Sequence, residues 1–426
     1  MTDQHVEHAR CCARAIVACI DAASPFVMRK TVPYRRGLTV TRARLSSVHG
    51  ERAQRGVAAS WCAKKCPYGG SGAARILFIT GPMTHAPTLA LDKPRWSIHA
   101  ACPAGWRQQI ALCGGGYFHS SRGLLASAPA GEPIFLDLWD GEQLLGVATG
   151  VRFGGAGSAT PRHVYFPTLP AVASRKSSEF ALASLVERLR EDGMAEVVLD
   201  SFDAQMVPGA LLHATELRHR REYTVDLDAS PDYLLSQMAP RHRRQIERGD
   251  AERWSCRVLR VDELRTPPTA VKPVALFGMR RGESFATHLH NVAALAGSEL
   301  QEPSGATVFA AFDGQKLLAA ALIGWANRRA YCLSGGCVPT GDDCAEAIWL
   351  HWQILRALRA EGFHRYNLGG SPPAAVSPTH PANGMHRFKM GFAPRVVECY
   401  SVRWALDDAL ARVRHQTGWS EGVRTA

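Results

Sequence analysis

One stretch of the sequence, Ala306 to Gly370, constrains the fold more than any other. Thr307–Phe312 alternates in the manner of a strand, Asp313-Gly314 is a tight-turn dipeptide, and Leu317–Trp325 has the character of the returning strand. The chain then turns again into a third strand over 330–334. This order predicts a small antiparallel sheet at the centre of an α+β unit.

A helix and one more strand complete this unit. After a loop predicted over 335–341, which leaves Asp342 or Asp343 to cap the helix, apolar residues recur at three- and four-residue steps. They are Ala345, Ile348, Trp349, Trp352 and Leu355. Gly362 stands where a glycine ends a helix, and a short strand follows it to Gly369-Gly370. The three tryptophans of this region, Trp325 included, are therefore expected in the core.

The same order of elements occurs earlier in the chain, from about residue 134 to residue 199. The turn glycine and the glycine that ends the helix are 52 residues apart in the first stretch, at Gly141 and Gly193, and 48 apart in the second, at Gly314 and Gly362. The first helix is predicted to bury Phe180, Leu182, Leu185, Val186 and Leu189. An offset of about 170 residues between like elements predicts two copies of one fold.

Two short runs carry a resemblance to a known family. Tyr366-Asn367-Leu368-Gly369-Gly370 and Arg387-Phe388-Lys389-Met390-Gly391-Phe392 resemble the Fem-type aminoacyltransferases and their acetyltransferase-like relatives in the GNAT superfamily. The resemblance covers roughly Trp106 to Trp404. It implies an α+β fold of tandem GNAT-like (acyl-CoA N-acyltransferase) domains, each a mixed, mostly antiparallel sheet flanked by helices.

Composition and charge divide the chain further. Residues 1–95 hold 15 Lys+Arg against 5 Asp+Glu, and the remainder holds 35 against 33, so the net charge of +12 belongs mainly to the start of the chain. We expect a disordered basic leader over 1–94, an N-terminal GNAT-like domain over 95–229, a C-terminal acyltransferase domain over 230–410, and a tail over 411–426. A leader that binds nucleic acid or anionic lipid is the alternative, but a near-neutral folded part does not favour extensive phosphate binding.

Neither a metal site nor a membrane span is indicated. The twelve cysteines are mostly scattered, and Cys62-x-x-x-Cys66 has no second pair at ligand spacing nearby. No apolar run approaches the roughly 18 residues that a spanning helix needs. We therefore expect a cytoplasmic protein without stable membrane insertion and with reduced cysteines.

The resemblance also implies the catalytic residues. In Fem-type enzymes, the lysine of the matching Phe-Lys motif lies at the donor end of the site, where its charge stabilises the tetrahedral oxyanion, so Phe388 and Lys389 are the candidates here. Asn367 replaces the aspartate common at this place and removes a possible base. His386 is then the candidate base, with His364 or a chain of waters as alternatives.

The donor site is predicted from position. Glycines before the donor-side helix of GNAT enzymes let backbone N–H groups hold the pyrophosphate of CoA. Here the glycines are present without the family's full pattern, and two aspartates at the helix start disfavour a pyrophosphate. The candidate donor-binding residues are Ser334, Gly335, Gly336, Asn367, Gly369 and Gly370.

Acceptor residues are predicted at the junction of the two copies. Arg241 and Arg244 lie on a basic helix that resembles the Fem-type segment opening the second domain, and an arginine there pairs with a phosphate or carboxylate. Tyr117 lies where Fem-type first domains contribute to the acceptor pocket. A solvated helix face is the alternative for the arginines.

These features favour an N-acyltransferase that moves an acyl group from acyl-CoA or a similar small donor to an amine. A Fem-like aminoacyl-tRNA-dependent enzyme acting on a cell-wall precursor is the alternative, and an inactive tandem that serves as a binding module is another. The small donor is favoured over tRNA, because tRNA binding requires several phosphate contacts and the near-neutral folded part does not favour them.

Overall fold

The computed structural model describes residues 94–127, 131–154, 161–174, 178–204, 214–260, 262–263, 292–293, 295–337 and 344–407. Residues 1–93 of the predicted leader, the predicted tail and residues 338–343 lie outside these ranges. So does most of the segment 279–297, where the sequence also predicts a helix of the second copy. The strands and helices below are those of the described residues.

The strands are β1 (Arg95–His99), β2 (Glu132–Asp140), β3 (Gln143–Phe153), β4 (His163–Phe166), β5 (Ala171–Val172), β6 (Glu196–Asp200), β7 (Glu216–Asp226), β8 (Ser255–Leu259), β9 (Ser304–Asp313), β10 (Lys316–Ala326), β11 (Arg329–Cys337), β12 (Arg365–Ser371) and β13 (Arg395–Ala405). The helices are α1 (Trp106–Leu112), α2 (Ser121–Ser127), α3 (Ser178–Glu191), α4 (Pro231–Gln237), α5 (Pro240–Ala251), α6 (Ala345–Ala360) and α7 (Asn383–Met390). Short 3-10 helices cover Tyr117–His119 and Pro373–Val376.

The second copy of the repeat follows the predicted order. β9 and β10 form an antiparallel hairpin, β10 and β11 form the next, and α6 leads into β12, which pairs with β11 in parallel. Gly314 has a φ of 55°, which explains the glycine in the hairpin turn. Helix α6 begins at Ala345, and the predicted caps Asp342 and Asp343 lie outside the described residues.

The first copy repeats this arrangement. β2 and β3 form the hairpin, β4 joins β3 antiparallel, and α3 leads into β6, which pairs with β4 in parallel. One prediction for α3 is wrong: Phe180 is 47% exposed, whereas Leu182, Leu185 and Leu189 are buried with Ala181. The buried stripe therefore starts one residue later than the apolar pattern indicates.

All thirteen strands belong to one sheet, and the two copies exchange strands at its centre. The strand order is β1-β2-β3-β4-β6-β13-β7-β12-β11-β10-β9-β8, with β5 beside β3. β13, the last strand in the chain, pairs with β6 of the first copy, and β7 pairs with β12 of the second copy. β7 and β13 also pair with each other. Each copy is thus completed by a strand from the other side of the chain.

Separate apolar clusters stabilise the two copies. In the second copy, α5 and α6 pack on one face of the sheet around the fully buried Trp325, with Trp349 and Trp352 also in this core as predicted. In the first copy, α3 covers Leu136, Leu138 and Val197. The tandem GNAT-like fold predicted from the sequence, a mixed and mostly antiparallel sheet flanked by helices, is confirmed. None of the described helices is long and apolar enough to cross a membrane.

We predict that a chain ending at Pro394 loses cooperative folding of both copies. The truncation removes β13 and leaves β6 and β7 each without a neighbour in the middle of the sheet. Urea unfolding followed by tryptophan fluorescence tests this, with a chain ending at Asp407 as the matched control. An unfolding midpoint equal to that of the control would contradict the prediction.

Candidate active site

The two parallel strands of the second copy separate partway along their length. β11 pairs with β12 only from Arg329↔Arg365 to Tyr331↔Asn367, although β11 continues to Cys337 and β12 to Ser371. Beyond this point β11 stays paired with β10, and β12 stays paired with β7. A gap therefore opens between β11 and β12, with backbone groups on both sides that are not used in pairing these two strands.

The corresponding strands of the first copy stay together. β4 and β6 pair from His163↔Glu196 to Phe166↔Leu199. The contact then continues, because Phe202 N donates to Pro167 O at 3.2 Å and Thr168 Oγ1 donates to Phe202 O at 2.6 Å. Among the described residues, the gap is thus a feature of the second copy.

Gly369 shapes the β12 side of the gap. Its φ of 77° accompanies a register shift between Asn367 and Gly370 in the pairing with β7. The Asn367 side chain holds this bulge, because Gly369 N donates to Asn367 Oδ1 at 2.8 Å. A Cβ at Gly369 would lie 3.5 Å from Cys332 O on β11, 3.6 Å from Lys389 Nζ and 3.8 Å from Tyr331 Oη, so a β11 carbonyl and two polar side chains converge on this glycine.

Lys389 reaches the gap from α7. It is only 7% exposed, its Nζ donates to Gly370 O at 2.7 Å, and it lies 5.7 Å from the centre of the Tyr223 ring. A lysine that is buried and donates to a backbone carbonyl is held in position rather than solvated. Helix α7 therefore places the predicted cation beside the donor-side strand.

The residues around Lys389 explain the motif that contains it. Phe388 contacts the rings of His242, His351 and Phe392, which fixes this side of α7 to the core. His242 Nε2 lies 2.9 Å from Phe388 O. Gly391 allows this contact, because a Cβ there would come within 2.0 Å of the His242 ring.

His386 lies next to the same cluster. Its Nδ1 is 2.7 Å from Tyr223 Oη, which is also 2.7 Å from Ser371 Oγ at the end of β12. Partial burial and the nearby charge of Arg221 lower the pKa of His386, so the imidazole is neutral at neutral pH. His364 lies elsewhere: it is exposed at the start of β12, where its Nδ1 is 2.9 Å from Asp228 Oδ1.

The predicted donor-binding residues divide into two groups. Asn367, Gly369 and Gly370 line β12 at the gap. Ser334, Gly335 and Gly336 belong to β11, where they pair with Leu322, Ala321 and Ala320 of β10. The prediction of a loop beginning at Gly335 is therefore wrong, because the hydrogen bonds to β10 extend the strand to Cys337.

The predicted acceptor-binding residues occupy different environments. Arg244 is exposed on α5, whereas Arg241 is half-buried on the same helix. Burial, together with the charge of Arg241, lowers the pKa of His242 to about 4, which places Arg241 near the Phe388 side of the site. Tyr117 is 1% exposed, and its ring packs against Gly324 of β10. Their part in acceptor binding stays a prediction.

Sequence reasoning missed a buried carboxylate beside Asn367. Asn367 Nδ2 donates to Glu222 Oε2 at 2.8 Å, so the acidic group absent from position 367 is present on the adjacent strand β7. Within β7, Glu222 lies between the end residues Glu216 and Asp226 and follows Arg218-His219-Arg220-Arg221. An acid in the interior of the strand, directly before Tyr223, was the available signal.

The described residues contain no group of three or more His, Cys, Asp or Glu side chains arranged to hold a metal ion.

We predict that Gly369→Ala destabilises the protein by about 1–2 kcal/mol, the usual cost of a left-handed conformation for a residue with a Cβ. Gly384→Ala on α7 is the matched control, because a Cβ there meets nothing within 4 Å. The control should be neutral or stabilise by up to about 1 kcal/mol. Urea unfolding measures both changes, and equal effects would show that the Gly369 conformation is unstrained.

Comparison with known proteins agrees with this geometry. Residues 236–390 match the family model of the acetyltransferase (GNAT) domain. No curated protein matches the chain in sequence. Among solved structures, FemX is similar with a TM-score of 0.57 and 12% identity, over 74% of this chain and 99% of that chain.

Two further solved structures are similar at lower scores. A tandem GNAT protein from the clavulanic acid biosynthesis pathway has a TM-score of 0.45 and 12% identity, over 74% of this chain and 99% of that one. L-PGS from Bacillus licheniformis has a TM-score of 0.39 and 13% identity, over 64% and 85%. The family match and the FemX-like fold confirm the resemblance found in the sequence: residues 236–390 form a GNAT-type domain within a tandem GNAT-like chain.

Proposed function

We propose that this chain is an N-acyltransferase of the GNAT type that moves an acyl group from acyl-CoA, or a similar small donor, to an amine bound between the two copies. The observation that supports it most is the gap between β11 and β12 with Lys389 beside it. We further propose division of the folded chain at 229/230 and a cytoplasmic location.

The gap suits an acyl donor for a simple reason. A thioester chain is narrow and has amide groups along it, so two separated strand edges can bind it with backbone N–H and C=O groups. The first N–H groups of α6, which begins at Ala345, are the partners that we propose for a donor phosphate. These features fit an acyl-CoA, with the donor entering along β11.

Lys389 has the proposed role of stabilising negative charge. When the amine attacks the acyl carbon, the carbonyl oxygen becomes an oxyanion, and a cation held in a water-poor site stabilises it most. Lys389 is already fixed by Gly370 O and by the packing of Phe388, so little reorganisation is needed. Tyr223, held by His386 and Ser371, is the hydroxyl on this side that can return a proton to the leaving group.

We expect Lys389→Met to lower kcat by about 10²–10³, the scale of losing one oxyanion donor. The melting temperature should change little, because the methionine chain fills the same volume. Arg387→Met, at an exposed position on the same helix, is the matched control and should keep the wild-type rate. A Lys389→Met enzyme as fast as the control would assign Lys389 a structural role only.

The donor is tested by binding. We expect acetyl-CoA to bind the full chain in calorimetry at both 20 mM and 150 mM salt. We expect charged tRNA to show no specific binding at either salt concentration. Micromolar tRNA binding that weakens steeply with salt, without acetyl-CoA binding, would instead support an aminoacyl-tRNA-dependent enzyme. Failure of both ligands to bind would favour an inactive tandem that serves as a binding module.

A further inference from the structure

Glu222 lies at the point where β11 and β12 separate. It is 1% exposed on β7, and its carboxylate binds the side chains of both residues in the last pair of these strands. Tyr331 Oη donates to Oε1 at 2.8 Å, and Asn367 Nδ2 donates to Oε2 at 2.8 Å. Glu222 therefore connects the β11 side of the gap to the β12 side, in addition to its place in β7.

Further contacts set the charge of Glu222. Arg220 Nη2 donates to Oε1 at 3.2 Å, and Asp203 N donates to Oε2 at 2.9 Å. These donors favour the carboxylate, while burial raises the pKa of Glu222 above its ordinary value. The group is therefore able to accept a proton in a site where an ordinary glutamate would not.

Tyr331 connects this carboxylate to the gap. Its hydroxyl uses its proton for Glu222, so the lone pairs of the oxygen remain for a second donor. The oxygen lies 3.8 Å from the Cβ position of Gly369, and Lys389 Nζ lies 3.6 Å from the same position. Burial and the nearby carboxylate keep the pKa of Tyr331 well above its ordinary value, so the phenol cannot act as a base without passing its proton on.

We propose that Tyr331 and Glu222 form a proton relay that takes the proton of the acceptor amine. As the amine nitrogen bonds to the acyl carbon, one N–H bond breaks and its proton goes to Tyr331 Oη. The phenolic proton goes to Glu222 Oε1 at the same time, so Tyr331 stays neutral and Glu222 becomes the acid. This relay rests on the proposed function, and it assigns Tyr331 as a catalytic residue and Glu222 as its positioning and proton-accepting partner.

The first copy provides an internal comparison. Tyr165 pairs with Val198 there, as Tyr331 pairs with Asn367, and Tyr165 Oη donates to Asp200 Oδ2 at 2.8 Å. A tyrosine bound to a buried carboxylate thus occurs in both copies, but Asp200 lies on the parallel strand β6 itself, whereas Glu222 lies on the neighbouring strand β7. In the first copy the strands remain joined through Phe202 and Pro167, so we assign that pair a structural role.

The experiment compares Tyr331→Phe and Glu222→Gln with Tyr165→Phe as the matched control. Acyl transfer from acetyl-CoA to a panel of primary amines (glycinamide, lysine, glucosamine and spermidine) is followed by CoA release, and acetyl-CoA binding is measured by calorimetry. We expect both relay variants to lose about 10²–10⁴ in kcat/KM at neutral pH, the range for a lost general base. Their acetyl-CoA affinity should be unchanged, and Tyr165→Phe should retain the wild-type rate.

The pH profile separates a relay from a structural role. Protonation of the acceptor amine gives one acid limb in kcat/KM, which moves with the pKa of the amine used. A second acid limb, the same for every amine, should appear as Glu222 becomes protonated, and Glu222→Gln should lack this amine-independent acid limb. The charged or titratable groups around Glu222 are Arg220, Asp203, Tyr331 and Cys399. Asp203→Asn keeps the backbone N–H to Glu222 but removes a negative charge that raises the pKa of Glu222, so the amine-independent acid limb should remain and move to lower pH.

Several outcomes would overturn the relay. One is wild-type kcat/KM and an unchanged amine-independent acid limb in Glu222→Gln and Tyr331→Phe, while the wild type is active. Another is loss of acetyl-CoA affinity equal to the loss of rate. If Glu222→Gln does not fold, Glu222→Asp replaces it and should keep the amine-independent acid limb at a lower rate; the absence of that limb also counts against the relay. A wild-type protein that transfers no acyl group would overturn the proposed function together with the relay.

Discussion

The site depends on where hydrogen bonding between β11 and β12 stops. A parallel pair that continued past Tyr331 and Asn367 would leave no room for a substrate, as the first copy shows. Two features mark the point where the strands separate: the bulge at Gly369 and the Asn367 side chain that binds Gly369 N. Glu222 on β7 binds the side chains of Tyr331 and Asn367 and so fixes the last pair before the separation. Lys389 then needs only a short helix, α7, to reach the opening.

The two copies show how one fold supports two roles. Each has the same hairpin, helix and parallel strand, and each has a tyrosine at the same register that donates to a buried carboxylate, which lies on β6 in the first copy and on β7 in the second. The second copy differs by a glycine with a positive φ where the first has Asp200, a residue in regular strand conformation. A difference of a few residues on one strand thus separates a structural copy from a candidate catalytic one.

Much of the fold followed from sequence, and the site followed only in part. Turn glycines, apolar periodicity and the repeat predict the hairpins, α6 and the tandem arrangement, because these signals are local. The pairing of β7 with β12 and of β13 with β6 could not be predicted in this way, because the residue pattern of a strand does not specify which strand lies next to it. The Phe388–Lys389 motif indicated Lys389 as a candidate catalytic residue, and that role stays a prediction. Glu222 and Tyr331 could not be paired from the sequence, because they are more than 100 residues apart and only tertiary structure brings them together.

The central position of β13 affects how the protein is made. The chain emerges from the ribosome with its N-terminus first, and β6 must wait for almost 200 residues before its permanent neighbour is synthesised. Until then, β6 presents an unpaired edge in an otherwise complete first copy. A chain that stops before β13 leaves β6 and β7 without this neighbour, so the junction on which the candidate site is built becomes buried only after β13 has been synthesised.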